Sequence, residues 1–359
     1  MRAAAIFGLA FAAVWAAALV LSVHAAEAPA PRPRPELGDG SPGRGPAGTV
    51  RARPRTDYDP IGLPLGAFRV YPSLGAAARY DSNILRESAS GESDAVAVAS
   101  PGVRAESDWA RHRLALTASA DLGIYARHSS ENYADARAEA TGYIDIRRGL
   151  RLEATAGFGH GHEERGSVDG DGGTEPVTFW RWNARAALAG ERGAFGYRVG
   201  ADYVRLNYND VAAIGGGTLN QDDRDRQILG GFARLDYHAF PAGGVFVAGR
   251  YDRTDFRTRV DDGGVNRDAR SQTLVAGVSL DAGGITFGQV YAGWFGEQPD
   301  DARLEDVSGF TAGGELSANV TPLTTVGLRG DRGVRSTVTD GASSLVVTEV
   351  RATVDHELL

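Results

Sequence analysis

Pairs of oppositely charged residues recur in this sequence, two positions apart, inside stretches where polar and apolar residues alternate. Side chains two positions apart on a β-strand project from the same face, so the members of a pair can bind each other or a neighbouring strand. The pairs are Arg151/Glu153, Arg234/Asp236, Arg250/Asp252, Arg329/Asp331 and Glu349/Arg351, and Arg198/Asp202 has a spacing of four. Rows of such charges can line a hydrated passage and select among polar solutes, or they can brace an interior that is narrow or plugged. The sequence leaves both interpretations open.

Four more charged residues share the polar face of these stretches. Arg113 and Asp121 lie in one alternating stretch, and Arg181 and Arg185 lie in another. The predicted lining therefore consists of Arg113, Asp121, Arg151, Glu153, Arg181, Arg185, Arg198, Asp202, Arg234, Asp236, Arg250, Asp252, Arg329, Asp331, Glu349 and Arg351.

The segment from Gly159 to Glu164 is the best candidate for an enzyme or metal site, because it contains two histidines beside acidic residues. On a strand, His160, His162 and Glu164 share a face and could ligate a metal ion or supply a general base. No third partner is identifiable, and no histidine lies in a Gly-x-Ser-x-Gly context. We therefore predict no catalytic residues, no metal site and no enzymatic activity; a hydrolase at the rim that uses His160 and His162 is the alternative.

Acidic clusters in the candidate loops could bind Ca²⁺, or bridge through divalent ions to lipopolysaccharide phosphates. They are Asp169/Asp171, Asp222/Asp223, Asp261/Asp262 and Asp300/Asp301. The ligand spacing of an EF-hand is absent, and glycine runs such as 215–217 lack the strand-to-helix setting that phosphate binding needs. Solvated turns explain these residues, and the sequence predicts no cofactor.

The elements that carry the charged pairs are strand-like segments joined by alternating short and long connections. The short connections contain turn residues, as at Arg148-Gly149 and Thr321-Pro322. The long connections are acidic or glycine-rich, as at 165–176 and 209–223. This asymmetry is typical of a transmembrane β-barrel, in which short periplasmic turns alternate with long outer loops.

We predict fourteen strands with polar and apolar residues on opposite faces. Their approximate spans are 67–81, 95–106, 111–127, 133–147, 150–164, 177–190, 195–208, 224–239, 243–258, 268–281, 284–297, 304–319, 322–335 and 345–358. In the third strand, Leu116 and Leu122 lie on one face, and Thr117 and Asp121 lie on the other. The predicted fold is an all-β, antiparallel up-and-down transmembrane barrel with one face toward lipid and one toward water. A soluble β-sandwich or β-solenoid is the alternative.

Composition excludes several other classes of protein. With 42% hydrophobic residues and a mean hydropathy of −0.25, the chain is too polar for a bundle of membrane helices. The absence of cysteine excludes disulfides, thiolate metal sites and a lipoprotein anchor. The formal net charge of −8 argues against nucleic acid as a partner.

The N-terminal region has the features of an export signal followed by a linker. Arg2 precedes an apolar run, and Val23 and Ala25 fit the small-residue pattern of a cleavage site. This predicts a signal peptide over 1–25, with a retained inner-membrane anchor as the alternative. Residues 26–65 are rich in proline, arginine and glycine and are predicted to form a flexible linker. The barrel is then expected to span 66–359.

Four short motifs resemble those of a known family. They are Pro72-Ser73-Leu74, Tyr80-Asp81-Ser82-Asn83-Ile84-Leu85-Arg86, Pro101-Gly102-Val103 and Val354-Asp355-His356-Glu357-Leu358-Leu359. Together they resemble the outer-membrane β-barrel family often called putative β-barrel porin 2. In that family a Tyr-Asp-x-Asn-Ile element ends the first strand, and an Asp-His-Glu-Leu element marks a late periplasmic turn. The resemblance assigns these motif positions to Tyr80, Asp81, Asn83, Asp355 and His356.

The charged lining and the barrel pattern predict a porin-like channel for polar solutes, and the resemblance implies a place in a Gram-negative outer membrane. It implies contact with lipid, lipopolysaccharide and the barrel assembly machinery. Some family members are associated with exopolysaccharide export, which would add polysaccharide export components as partners. A closed structural or adhesion barrel at the cell surface is the alternative.

The C-terminus departs from the family pattern. Members usually continue past the Asp-His-Glu-Leu element and end on an aromatic residue, whereas this chain stops at Leu359. We therefore expect a truncated sequence and a complete barrel of about sixteen to eighteen strands, with closure by fourteen strands as the alternative.

Overall fold

A computed structural model describes residues 48–53, 59–86, 91–167, 172–240, 242–336 and 344–358. Within them the regular structure is almost entirely β-strand, with two short 3-10 helices, Ser129–Glu131 and Asp222–Arg224. The predicted signal peptide, 1–25, lies outside the described residues. No helix in this part of the chain is long and apolar enough to cross a membrane.

The described ranges contain seventeen strands, of which three are very short. They are β1 (Leu63–Leu65), β2 (Phe68–Asp81), β3 (Asp94–Ser107), β4 (Arg113–Tyr125), β5 (Tyr133–Arg147), β6 (Leu150–His162), β7 (Thr178–Arg192), β8 (Phe195–Tyr208), β9 (Val211–Ala212), β10 (Thr218–Leu219), β11 (Arg226–Phe240), β12 (Gly243–Phe256), β13 (Ala269–Ala282), β14 (Thr286–Pro299), β15 (Val307–Thr321), β16 (Thr324–Ser336) and β17 (Ser344–His356). The fourteen long strands correspond one to one to the predicted strands.

All the long strands join one antiparallel sheet in sequence order. Each pairs with its neighbours along the chain, β1 adds to β2 at one edge, and β9 and β10 form a separate hairpin. This up-and-down arrangement confirms the predicted fold class. The sheet is not closed, because β17 pairs with β16 alone among the described residues.

The connections at the two ends of the sheet differ as predicted. At one end, here called the short-turn end, some turns have only two residues, as at 148–149 and 193–194. Gly149 and Gly193 adopt φ angles of 72° and 63° there, a region that glycine enters readily. At the other end, called the long-loop end, the connections include 163–177 and 209–225.

The register of the ladders gives each strand two distinct faces. Directly paired residues share a face, so the pairs Arg185/Asp202, Asp202/Gly230 and Gly230/Asp252 place one row on the same side of four strands. We call this side the inner face and the opposite side the outer face. Large apolar side chains stay exposed on the outer face, among them Leu116, Ile124, Leu229, Leu274, Phe310 and Val350. On a membrane barrel, this is the face that contacts lipid.

Two parts of the predicted linker lie against the sheet. Leu63–Leu65 pairs with β2 as strand β1. At the short-turn end, the Val50 backbone N–H donates to Thr325 Oγ1 at 2.9 Å, and Arg53 Nη2 donates to the Pro322 carbonyl at 2.8 Å. The extent of the linker remains a prediction.

Strands β14 and β15 approach each other so closely at Gly288 that a side chain has no room. The φ angle of Gly288 is 143°, and a Cβ at this position would lie 2.0 Å from the Glu315 carbonyl oxygen. By contrast, a Cβ at Gly231 in β11 would meet no atom within 4 Å. Glycine is therefore a structural requirement at the first position and not at the second.

We expect Gly288→Ala to destabilise the folded protein by about 1 to 3 kcal/mol, because alanine is strained at this φ and would push β15 away. The free energy of unfolding would be measured by urea titration of protein refolded in detergent micelles. Gly231→Ala is the matched control and should change that free energy by less than about 0.5 kcal/mol. Equal stability of Gly288→Ala and the unmodified protein would contradict the β14–β15 register.

Candidate functional site

All sixteen charged residues predicted to form the lining project from the inner face, as the ladder register shows. The structure groups eight of them into three clusters, described below. Three others contact residues outside the predicted set: Arg113 with Glu106 at 3.0 Å, Asp121 with Ser100 at 2.6 Å, and Arg329 with Glu315 at 3.7 Å. Their common role as a lining stays a prediction.

The most buried cluster joins Arg250 to two carboxylates on the inner face. Its guanidinium donates to both oxygens of Asp202, at 2.7 and 2.8 Å, and to both oxygens of Asp252, at 2.5 and 2.8 Å. All three residues are less than 8% exposed. The planar guanidinium matches two carboxylates at once, which an ammonium group could not do.

Glycine at position 230 makes this cluster possible. Gly230 lies between Asp202 and Asp252 in the ladder, and a Cβ there would be 2.3 Å from Arg250 Nη2. The Arg250 side chain therefore crosses over β11 through the space above Gly230 to reach Asp202 on β8. Sequence spacing predicted only the Arg250/Asp252 contact within β12.

The other two clusters also join residues of different strands, with other numbers of charges. Arg151 lies 2.6 Å from Glu153 on its own strand, and Arg198 on β8 lies 3.2 Å from the same carboxylate. Arg234 pairs with Asp236 at 2.7 Å and also donates to Gln289 Oε1 at 3.0 Å. Since Gln289 is on β14 and two strands intervene, the sheet curves toward its inner face.

Apolar side chains fill part of the interior beside these charges. Phe232, Phe246 and Tyr291 are on the inner face and are only 4%, 4% and 7% exposed. The Arg234 guanidinium lies 3.8 Å from the centre of the Phe246 ring. The interior is thus densely packed along β11–β14, which sequence alternation alone did not indicate.

A loop covers the inner face at the long-loop end. Val177 and Val211, from the connections 163–177 and 209–225, pack against Leu206, Tyr208 and Ile228 of the inner face. A bridge between Gly173 and Ala213 joins the two connections. We call residues 209–219 the lid, which includes the β9–β10 hairpin.

Ion pairs between loops form a rim at the long-loop end. Arg165 binds Glu131 through two hydrogen bonds of 2.6 and 2.8 Å, and Arg224 binds the buried carboxylate of Glu163. Asp222, Asp261 and Asp301, interpreted from sequence as solvated turn residues, pair with Arg257, Arg267 and Arg303. Sequence analysis did not predict these pairs. Arg257 lies in another loop from Asp222 and Arg267 is six positions from Asp261, whereas Arg303 is only two positions from Asp301 and was overlooked.

The rim also perturbs the ionisation of loop residues. Hydrogen bonds to Asp94 and then Glu92 raise the pKa of His128 above its ordinary value. Hydrogen bonds from the Arg303 side chain and backbone hold the pKa of Asp301 well below its usual range. These contacts tie the loops together by charge as well as by packing.

The two histidines of the candidate enzyme motif face different surroundings. His162 Nδ1 is 2.9 Å from an oxygen of Asp135, and its ring stacks on Tyr133. His160 lies against Trp180, and its Nδ1 is 3.2 Å from the Ala134 carbonyl. Strand β6 ends at His162, so Glu164 lies in the loop. A cavity of about 190 Å³ adjoins both histidines, but no group of three potential metal ligands occurs in the described residues.

The motif residues carried over from the family lie at strand ends. Asp81 Oδ1 accepts a hydrogen bond of 2.9 Å from the Asn83 backbone N–H, which turns the chain where β2 ends. Tyr80 is 73% exposed. At the short-turn end, His356 Nδ1 is 2.9 Å from Thr324 Oγ1, and Asp355 pairs with Thr325 in the ladder.

Replacing Arg250 tests how strongly the central cluster holds the sheet. Arg250→Gln leaves Asp202 and Asp252 close together without a cation, so we expect the free energy of unfolding to fall by about 3 kcal/mol. Arg329→Gln is the control, because Arg329 and Glu315 are both about half exposed or more, and it should cost less than about 1 kcal/mol. Urea titration in micelles measures both, and an equal effect of the two substitutions would contradict the cluster.

Comparison with solved structures gives distant matches to outer-membrane proteins. The copper transporter OprC shares 13% identity over 79% of this chain and 52% of that one, with a TM-score of 0.48. A mutant of the ferric enterobactin receptor PfeA from Pseudomonas aeruginosa shares 12% identity over 75% of this chain and 44% of that one, with a TM-score of 0.41. A bacterial polysaccharide outer membrane secretin shares 11% identity over 80% of this chain and 98% of that one, with a TM-score of 0.40. The chain spans about half the length of the first two structures.

Comparison by sequence is more informative. No curated protein matches the chain. A family model described as Putative beta-barrel porin 2 matches residues 55–359, which include every strand of the sheet. The family is one of porins rather than of enzymes. The chain therefore belongs to the Putative beta-barrel porin 2 family.

Proposed function

We propose that the protein is an outer-membrane channel through which polar solutes diffuse. The observation that carries this proposal is the separation of charge across the sheet. The sixteen predicted lining residues share the inner face, whereas the outer face of the same strands exposes leucine, valine and aromatic side chains. A wall with one face for lipid and one for water encloses a hydrated passage when it curves around its polar side.

The mechanism we propose is passive diffusion past fixed charges. Arg198, Arg234 and Arg250 are each bound to carboxylates, so these clusters present mixed dipoles instead of free cations to a solute. The lid narrows access at the long-loop end, because its apolar side chains occupy part of the inner face. Selectivity then depends on charges that remain unpaired and on the position of the lid.

A closed structural or adhesion barrel at the cell surface is the second candidate. The buried Phe232, Phe246 and Tyr291 favour it, since they fill the interior beside β11–β14. The inner faces of β2–β5 are more open, with many residues half-buried or exposed.

The finer assignments rest on the family resemblance. They are export of exopolysaccharide, with polysaccharide export components and the barrel assembly machinery as partners. The proposed signal peptide over 1–25 rests instead on Arg2, the apolar run that follows it, and Val23 and Ala25. Contact with lipopolysaccharide has a local basis as well. Arg205 is exposed on the outer face near the long-loop end and lies 5.7 Å from the Trp182 ring centre, a combination suited to the lipid interface.

The lid supplies a direct test of the channel. Val211 is 3% exposed in the apolar contact of the lid, so Val211→Asp should release the lid and raise the single-channel conductance in planar bilayers. Val260 is 46% exposed in another loop of the same end, and Val260→Asp is the control that should conduct like the unmodified protein.

Silence from both the unmodified protein and Val211→Asp would overturn the channel proposal and favour the closed barrel. If Val211→Asp conducts like the unmodified protein, the channel proposal stands, but the lid does not limit conduction.

A further inference from the structure

One row of the inner face contains three arginines and no carboxylate. From β2 to β12 the row reads Ser73, Gly102, Ser119, Arg137, Gly159, Arg181, Leu206, Arg226 and Phe256. Arg137, Arg181 and Arg226 lie on every second strand of the central part. Paired strands are about 4.8 Å apart, so neighbouring arginines start about 10 Å apart and their long side chains can converge on one small ligand.

These arginines differ from those of the charged clusters because no carboxylate binds them. Within the described ranges, Arg181 and Arg226 take part in no ion pair, and Arg137 donates only to Ser119 Oγ at 3.0 Å. Arg226 donates one hydrogen bond of 2.9 Å to the Arg224 carbonyl. It is only 8% exposed, and its guanidinium lies 5.8 Å from the ring centres of Tyr208 and Phe256. The row therefore holds three positive charges on one side of the interior.

The carboxylates of the adjacent rows are held by other groups. They are Asp121 with Ser100 at 2.6 Å, Asp135 with His162 at 2.9 Å, and Glu139 with Thr141 at 3.2 Å. Above the row, Glu163 is bound to Arg224. None of these acids makes a salt bridge with Arg137, Arg181 or Arg226 in the described structure.

Gly159 lies between Arg137 and Arg181 in the row and contributes no side chain there. The atoms nearest to a Cβ built at Gly159 belong to Ala136 and Arg137, at 3.2 and 3.6 Å. The Arg181 side chain does not fill this space and is itself only partly buried, while Arg137 is exposed. A ligand that enters from the open side of the interior can reach both guanidinium groups.

We propose that Arg137, Arg181 and Arg226 form a binding station for oxyanions, such as the phosphate or carboxylate group of a passing solute. Guanidinium groups bind both oxyanions with paired, charge-assisted hydrogen bonds. The station deepens the proposed function, on which it rests, because it makes anionic solutes the preferred class. It is distinct from the clusters around Arg198, Arg234 and Arg250, in which carboxylates bind the arginines.

The test measures binding separately from conduction. Isothermal titration calorimetry of the full chain refolded in zwitterionic detergent would use inorganic phosphate and D-glucuronate as probes. We expect saturable binding of both, weakened at least tenfold by Arg181→Gln or Arg226→Gln, which corresponds to about 1.4 kcal/mol. Arg181→Lys keeps the positive charge but lacks the planar guanidinium. Its affinity for both probes should therefore lie between that of the unmodified protein and that of Arg181→Gln.

Arg332→Gln is the matched control, because Arg332 donates to Thr348 Oγ1 at 3.1 Å, much as Arg137 donates to Ser119, but projects from the outer face of β16. It should bind both probes like the unmodified protein, and the strand signal in circular dichroism should show that every variant is folded. Absence of saturable binding, or equal binding by Arg181→Gln, would overturn the station. If the unmodified protein binds the probes but gives no conductance in bilayers, the channel proposal is wrong and the binding site stands.

Discussion

The structure depends on the hydrogen-bond ladder between neighbouring strands. A backbone N–H or C=O facing hydrocarbon without a partner costs several kcal/mol, so each strand inside a membrane must pair with its neighbours. Among the described residues, pairing in sequence order gives each long strand from β3 to β16 a neighbour on both sides, while β2 and β17 lie at or beside the edges of the sheet. Once the ladder is fixed, its two-residue period assigns every side chain to lipid or to the interior. A chain with a mean hydropathy of only −0.25 can then form a membrane wall.

The interior depends on arginine, since all 38 basic residues of the chain are arginines. A guanidinium can bind two carboxylates at once, as Arg250 does across β11. Such contacts link strands that are not neighbours and add to the ladder from inside. The same residue type serves another purpose where carboxylates are missing, and there it leaves positive charge exposed to the interior. Whether an arginine links strands or is free to bind a ligand therefore depends on where the carboxylates lie, and not on where the arginines lie.

Much of the fold could be predicted from the sequence because the dominant signals are local. Alternation and turn residues located every long strand, and they placed Leu116 and Thr117 on opposite faces. What could not be predicted depends on contacts between distant residues. The lid needs Val211 to meet Val177, and the rim needs Arg165 to meet Glu131; in each contact the two residues are 34 positions apart. The reach of Arg250 to Asp202 depends on a glycine in the intervening strand, which no pattern within one strand can reveal.

The assignment of the two faces is the central claim, and the absence of cysteine makes it directly measurable. Single cysteines would be placed one at a time over residues 116–121 in β4, and the protein would be reconstituted in lipid vesicles. A small, water-soluble thiol reagent should label positions 117, 119 and 121 rapidly and leave 116, 118 and 120 protected. Equal labelling of adjacent positions would contradict a wall with one face in lipid and one in water.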